Sequence, residues 1–256
     1  MQILDQSLCQ LAGITPMTEI ALRSKGIWTT RQLMAQADSL FSPRKAAKLR
    51  EAFSRIELAR KLGLVDILVN AMPCGHRVRV LADYYPQALF IDVETSGISS
   101  ESMRITCIST CLNGKTASFV SGQNLECFLN VWAKARIVVT FNGKRFDVPL
   151  LQREFDLSTL PAHIDLMDEA RHFGYVGGLK AIEARIGFFR KKTMCESGSD
   201  APMLWQRYLK EDDREALDEL VKYNQEDVRS LTELWRILLK HSIQNTGIST
   251  QIGQLQ

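Results

Sequence analysis

Asp92 and Glu94 stand two positions apart in Leu89-Phe90-Ile91-Asp92-Val93-Glu94-Thr95, an apolar run of β-forming residues. Side chains alternate across a strand, so the two acids share a face, about 7 Å apart. Carboxylates so placed repel, and the repulsion grows as water is withdrawn, unless a cation sits between them. The pattern fits a metal site. It equally fits an edge strand whose acids face solvent, so the reading depends on ligands from elsewhere in the chain. Asp147 follows a second apolar run, Ile137-Val138-Val139-Thr140-Phe141, and Tyr223 and Asp227 lie four apart in a helical run, hence on one helix face. Taken alone, Asp147 also reads as a helix cap and the Tyr223/Asp227 pair as ordinary helix surface.

The elements that must position these groups can be read in order. The Asp92/Glu94 strand leads through Ser96-Gly97 into two more alternating runs, 104–110 and 116–120, split by Asn113-Gly114, a strong hairpin signal. A helix from about Leu125 to Ala135 and the buried strand 137–141 follow. This β-β-β-α-β order resembles the mixed α/β sheet of ribonuclease-H-like folds, with the first and fourth strands adjacent. Asp147 then falls just past the carboxyl end of a central strand, where sites collect in α/β sheets. Asn142 and Gly143 suit a tight turn, and Phe146, Leu150 and Leu151 have helical spacing. The last helix, about Asp213 to His241, buries Leu217, Leu220, Val221, Val228, Leu231, Leu234 and Leu238.

Together, Asp-x-Glu, Asn-Gly-x-x-Phe-Asp and Tyr-x-x-x-Asp resemble the three motifs of DEDD 3'-5' exonucleases, in their tyrosine-bearing branch. With His163-Ile164-Asp165-Leu166, Gly178-Leu179-Lys180 and Tyr223 to Val228, residues 87–240 are also similar to bacterial YprB-like ribonuclease-H-like proteins. The resemblance implies that Asp92, Glu94, Asp147 and Asp227 hold two Mg²⁺ or Mn²⁺ ions, with Tyr223 orienting the attacking water. Thr95, Asn142 and Phe146 are the expected substrate contacts, joined by Arg190 and Lys191 of the basic loop Arg190-Lys191-Lys192-Thr193. His163 and His172 are alternative bases, and Asp165 is a supporting acid or a cap. The implied activity is 3'-5' exonucleolytic hydrolysis of single-stranded or 3'-overhanging nucleic acid, DNA favoured over RNA. A binding or scaffolding protein with a vestigial site and a structure-selective endonuclease are the rival functions.

Residues 1–64 read as a separate helical module. Thr15 and Pro16 open one helix, and Ser42 and Pro43 open a longer one that Gly63 closes. The Leu-Ala-Gly-Ile turn resembles that of helix-hairpin-helix modules, which hold DNA backbones through amides; Gly13, Ile14, Lys25 and Gly26 are the implied contacts. A small helical packing bundle is the alternative. Ten basic residues between Arg23 and Lys61 face five acids, although the whole chain of 256 residues has a net charge of only +3. Residues 65–86 read as a connector with a short strand at Arg77-Val78-Arg79-Val80-Leu81, 87–243 as the exonuclease domain, and 244–256 as a disordered tail.

At 45% hydrophobic and 24% charged, the composition is that of a soluble protein, and neither a secretion signal nor an apolar run of membrane length is present, so a cytoplasmic protein is expected. The six cysteines are scattered. Reduced, mostly buried thiols are the expectation, with a zinc or iron-sulfur site involving Cys74 and His76 as the alternative.

Overall fold

The computed structural model describes residues 2–97, 103–190, 200–244 and 246–248, and the chain divides into two units. The helical unit comprises Met1–Tyr85, Asp168–Gly174 and Arg236–Gln256, and the sheet unit Pro86–Met167 and Tyr175–Trp235. No helix of the described residues is long and apolar enough to cross a membrane.

In the helical unit, α1 (Ile3–Gln6), α2 (Pro16–Arg23), α3 (Thr30–Ala35), α4 (Ala37–Leu40), α5 (Pro43–Leu62), α6 (Val65–Ala71) and α7 (Val78–Tyr84) follow one another. The Thr15 hydroxyl accepts from the Thr18 amide at 3.1 Å, and Pro16 fills the first position of α2. Thr29 and Gln32 form a reciprocal capping box at α3, and Gly63, at φ 67°, closes α5.

The short strand expected at 77–81 is instead the start of α7, in which Val78, Arg79, Val80 and Leu81 are all buried. Alternation pointed outward at Arg79. Inside, its guanidinium is held by Glu19 at 2.8 Å, by the Ser242 hydroxyl at 2.9 Å and by the Ser242 carbonyl. The rest of 65–86 is likewise mostly helical rather than a plain linker. In the tail expected to be disordered, Thr246 and Ile248 are buried and Gln244 and Gly247 exposed, and 249–256 lie outside the described residues.

The sheet unit carries β1 (Ala88–Thr95), β2 (Ile105–Leu112), β3 (Lys115–Val120), β4 (Ile137–Thr140) and β5 (Ala162–Asp165) in the order β3-β2-β1-β4-β5. The first and fourth strands are therefore neighbours, as expected. Asn113 and Gly114 both take left-handed backbone, φ 51° and 74°, which lets a two-residue turn join β2 to β3 without splaying them. The helices are α8 (Phe128–Trp132), α9 (Asp147–Phe155), α10 (Leu166–His172), α11 (Leu179–Ile186), α12 (Ala201–Glu211) and α13 (Arg214–Ile243).

Alternation along β1 sorts its residues between two layers. Leu89, Ile91 and Val93 join Ile108, Phe119, Phe128 and Leu151 in one core cluster, while Phe90 packs on Trp235 of α13 with ring centroids 5.9 Å apart. Asp92 and Glu94 share the face of Phe90. On this side, Cys107 and Val120 form a second cluster with Leu204 and Trp205 of α12 and Leu217, Leu220 and Tyr223 of α13. Trp205 thus sits in the core.

Candidate metal centre

Two strand ends and one helix build the site. β4 pairs with β1 in parallel only from Ala88 to Phe90, so the carboxyl-terminal half of β1 lacks that neighbour. Asp147, the first residue of α9, reaches into the gap: its Oδ1 accepts the Val93 amide at 3.1 Å, between Asp92 and Glu94. On the other side of β1 the register with β2 slips between Glu94 and Thr95, an irregularity of the kind that re-aims side chains beside functional sites. Asn142 turns the chain after β4 at φ 61°, and a Cβ on Gly143 would lie 2.4 Å from the Thr140 side chain and 2.7 Å from Asp147 Oδ2. Only glycine lets the chain pass there.

Asp165 fixes this turn. Its carboxylate accepts the amides of Asn142 at 2.7 Å, Lys144 at 3.1 Å and Met167 at 3.0 Å. It makes contacts of both kinds expected of it, capping α10 through Met167 and supporting the turn through Asn142 and Lys144. The third element, α13, brings Asp227. One carboxylate oxygen from each of Asp92, Glu94 and Asp227 lies within 4.8 Å of the others, which is the one such group of three ligating residues found among the described residues. Oxygen donors of this kind suit a hard divalent cation.

The electrostatics are those of a cluster short of positive charge. Burial, then the charges of Asp227, Asp147 and Glu94, raise the Asp92 carboxyl well above the usual carboxylate range, against the hydrogen bond from Asn224. Burial and the same kind of repulsion push Glu94 up to about 8. Asp147 is pushed up to about 7 by burial, although its amide bonds oppose the shift. Burial also raises Asp227, with Arg190 working against it. Two unit charges about 4 Å apart cost roughly 4 kcal/mol at an effective dielectric near 20. A divalent cation would reverse the sign of that term, so the donor set fits one.

Tyr223, one helical turn before Asp227, is buried, with Lys180 Nζ 4.8 Å and the Arg190 guanidinium 5.4 Å from its ring centroid. Burial, with Asp227 and Glu94, raises its hydroxyl above the ordinary tyrosine value. Thr95 is buried at the end of β1 and donates to the Gly97 carbonyl at 3.3 Å, and Phe146 is 39% exposed immediately before Asp147. Arg190 is engaged internally, with Glu183 and Asp227. Lys191 to Thr193, and Cys195, lie outside the described residues. His163 bonds the Thr140 hydroxyl at 2.9 Å, and neither it nor His172 joins the ligating group found among the described residues. Cys74 bonds the Asp168 carbonyl and His76 the Ser242 hydroxyl, with no third ligand gathered around them among the described residues.

Two participants escaped the sequence reading. Asn224 donates from Nδ2 to Asp92 Oδ2 at 2.6 Å while its Oδ1 accepts from the Cys107 thiol, tying α13 to both central strands. Its place three residues before Asp227 was the available signal. Glu183 of α11, the anchor of Arg190, had no signal at all.

Fold and site together define a ribonuclease-H-like domain whose carboxylates converge at the end of the central strand. The chain belongs to the RNase H superfamily, which matches residues 89–239. Among solved structures it is similar to the family B DNA polymerase from the hyperthermophilic archaeon Pyrobaculum calidifontis, at 14% identity and a TM-score of 0.47, over 63% of this chain and 27% of that one. It is also similar to Brucella melitensis NrnC, at 20% identity and a TM-score of 0.42 over 68% of this chain and 81% of that one. The Aedes aegypti Nibbler EXO domain aligns at 9% identity and a TM-score of 0.35, over 68% of this chain and 87% of that one. No curated protein sequence matches the chain.

Proposed function

We propose that this protein is a metal-dependent 3'-5' exonuclease of the tyrosine-bearing DEDD branch, YprB-like, acting on single-stranded ends with DNA favoured over RNA. The observation that carries the reading is the convergence of Asp92, Glu94 and Asp227 within 4.8 Å from elements more than 130 residues apart in sequence. Buried carboxylates held together without a cation cost stability, so their retention points to a bound ion and a phosphodiester substrate.

Asp92, Glu94 and Asp227 would hold the ion and Asp147 would complete the set, with Asn224 keeping Asp92 oriented. Two Mg²⁺ or Mn²⁺ ions there would supply an activated water and neutralise the departing 3' oxygen. The Tyr223 hydroxyl positions that water by hydrogen bonding, and Phe146 offers an exposed ring against which a terminal base can stack. In the helical unit, Gly13 and Gly26 turn exposed corners at φ 83° and 80°. Beside the first, a cleft of about 440 Å³ is lined by Gln10, Ala12, Lys48, Glu51, Arg55 and Asn70. With Arg44, Lys48 and Arg55 exposed along α5, this unit is proposed to hold the nucleic-acid backbone as a helix-hairpin-helix-like module.

The test is a time course on 5'-labelled single-stranded DNA and RNA of one sequence, with Mg²⁺, Mn²⁺ or EDTA, comparing wild type with Asp92→Ala. Metal-dependent ladders shortening from the 3' end, and lost in the variant, are expected. Intact strands throughout, with duplex, nicked and overhang controls also intact, would leave a binding or scaffolding role; cleavage of circular strands would make it an endonuclease.

A further inference from the structure

Arg190, just beyond α11, makes an unusual set of contacts. Its Nε and Nη2 grip the two oxygens of buried Glu183 at 2.7 and 2.6 Å, a bidentate fork. The same Nη2 also reaches Asp227 Oδ1 at 2.5 Å, the carboxylate that belongs to the candidate metal group. Nη1 is buried with no hydrogen-bond partner among the described residues. The Glu183 fork holds the guanidinium by two bonds, whereas Asp227 is held by one, through the second hydrogen of Nη2.

We infer that Arg190 is the resident counter-cation of the acid cluster, and that a divalent ion loads at Asp92, Glu94 and Asp227 by displacing it from Asp227. The inference rests on the metal-site reading above. Without an ion, four acids are gathered here, three of them buried; the Arg190 guanidinium is ion-paired with Asp227, and the charge of Lys180 favours the ionised forms of Glu94 and Asp227 as well. A divalent ion entering beside Asp227 meets that charge at short range, and repulsion favours release of the single bond to Asp227 while the two-bond fork to Glu183 stays. Glu183 keeps the released arginine in place. Loading therefore exchanges one positive charge for two, and Arg190 sets the concentration at which the exchange occurs. Glu183 is a positioning residue in this scheme, acting through Arg190.

The experiment is titration of metal-free protein with Mn²⁺, free ion being read by electron paramagnetic resonance, with circular dichroism checking the fold. Arg190→Gln is expected to bind Mn²⁺ at least about tenfold more tightly than wild type, because a competing charge is gone. Arg190→Lys, which keeps the charge, should stay close to wild type. Glu183→Gln with Arg190→Gln removes both buried charges, guards against failure to fold, and should match Arg190→Gln. Equal or weaker binding by Arg190→Gln, with wild type binding normally, overturns the inference alone and makes Arg190 an aid to the metal. Absence of binding in wild type and all variants overturns the metal-site reading and this inference with it.

Discussion

Glu19 in the helical unit lies between Arg79, at 2.8 Å, and Arg23, at 3.5 Å, and also accepts the Leu8 amide; Glu169 takes Arg77 in the same way. In the sheet unit, Asp92, Glu94, Asp147 and Asp227 are gathered with Arg190 touching one of them. Both units bury charge, but in the first the buried carboxylates Glu19 and Glu169 are each held by a guanidinium, while the second gathers four carboxylates with a guanidinium bonded to one of them. A paired buried charge is a piece of architecture, and an unbalanced one marks a place kept for a ligand.

The sharpest way to break this contrast is Glu19→Gln. It strands Arg79 and Arg23 in a buried network and should cost about 3–5 kcal/mol in urea unfolding. A loss below about 1 kcal/mol would mean that the helical network carries no such weight.

In the sheet unit the corresponding change should act in the opposite sense on stability. Asp92→Asn removes one member of a repelling group, so the metal-free protein should melt no earlier than wild type, while phosphodiester cleavage falls by about 10²–10³-fold. Thermal melts in EDTA beside rate measurements decide it.

The pH responses of the two units should diverge as well. Glu94 titrates at 4.5 ordinarily and near 8 in the fold, so the unfolded chain releases its proton first. The stability this group gives to the metal-free sheet unit is whole below pH 4.5 and is lost as pH rises through about 8. Divalent metal should flatten that decline. His76 moves the other way, lowered from 6.5 to about 3 by burial, with Arg79 and His172 adding to the shift. Its contribution to the helical unit is present above pH 6.5 and is lost as pH falls toward 3. Hydrogen exchange read by peptide across pH 4 to 8 would show the two trends separately, and parallel trends would erase the distinction. Least costly should be Thr15→Ala, about 1 kcal/mol from the lost cap of α2, felt in the helical unit alone.

The strands were legible because alternation acts locally, but their order came from the resemblance to ribonuclease-H-like folds and the gathering of Asp92, Glu94 and Asp227 from the resemblance of three motifs to DEDD exonucleases, since spacing alone left each acid a bland alternative. What stayed hidden depended on pairing across the chain. Arg79 looked like an outward residue in an alternating run until Glu19 and Ser242 supplied its partners, 60 and 163 positions away. Arg190 looked like a free basic loop residue for the same reason: Glu183 and Asp227 neutralise it, and no local pattern announces a buried ion pair. Asn224 lay between those cases, visible by spacing but unremarkable by type.

The bonds from Arg79 and His76 to Ser242 also bear on how the protein is made. A ribosome delivers the first 85 residues long before Ser242 emerges, so the nascent helical segment must wait with Arg79 short of partners until Ser242 is made. Its completion is therefore deferred by the 163 residues of synthesis from Arg79 to Ser242, and a chain interrupted before Ser242 would expose that shortage to chaperones and proteases.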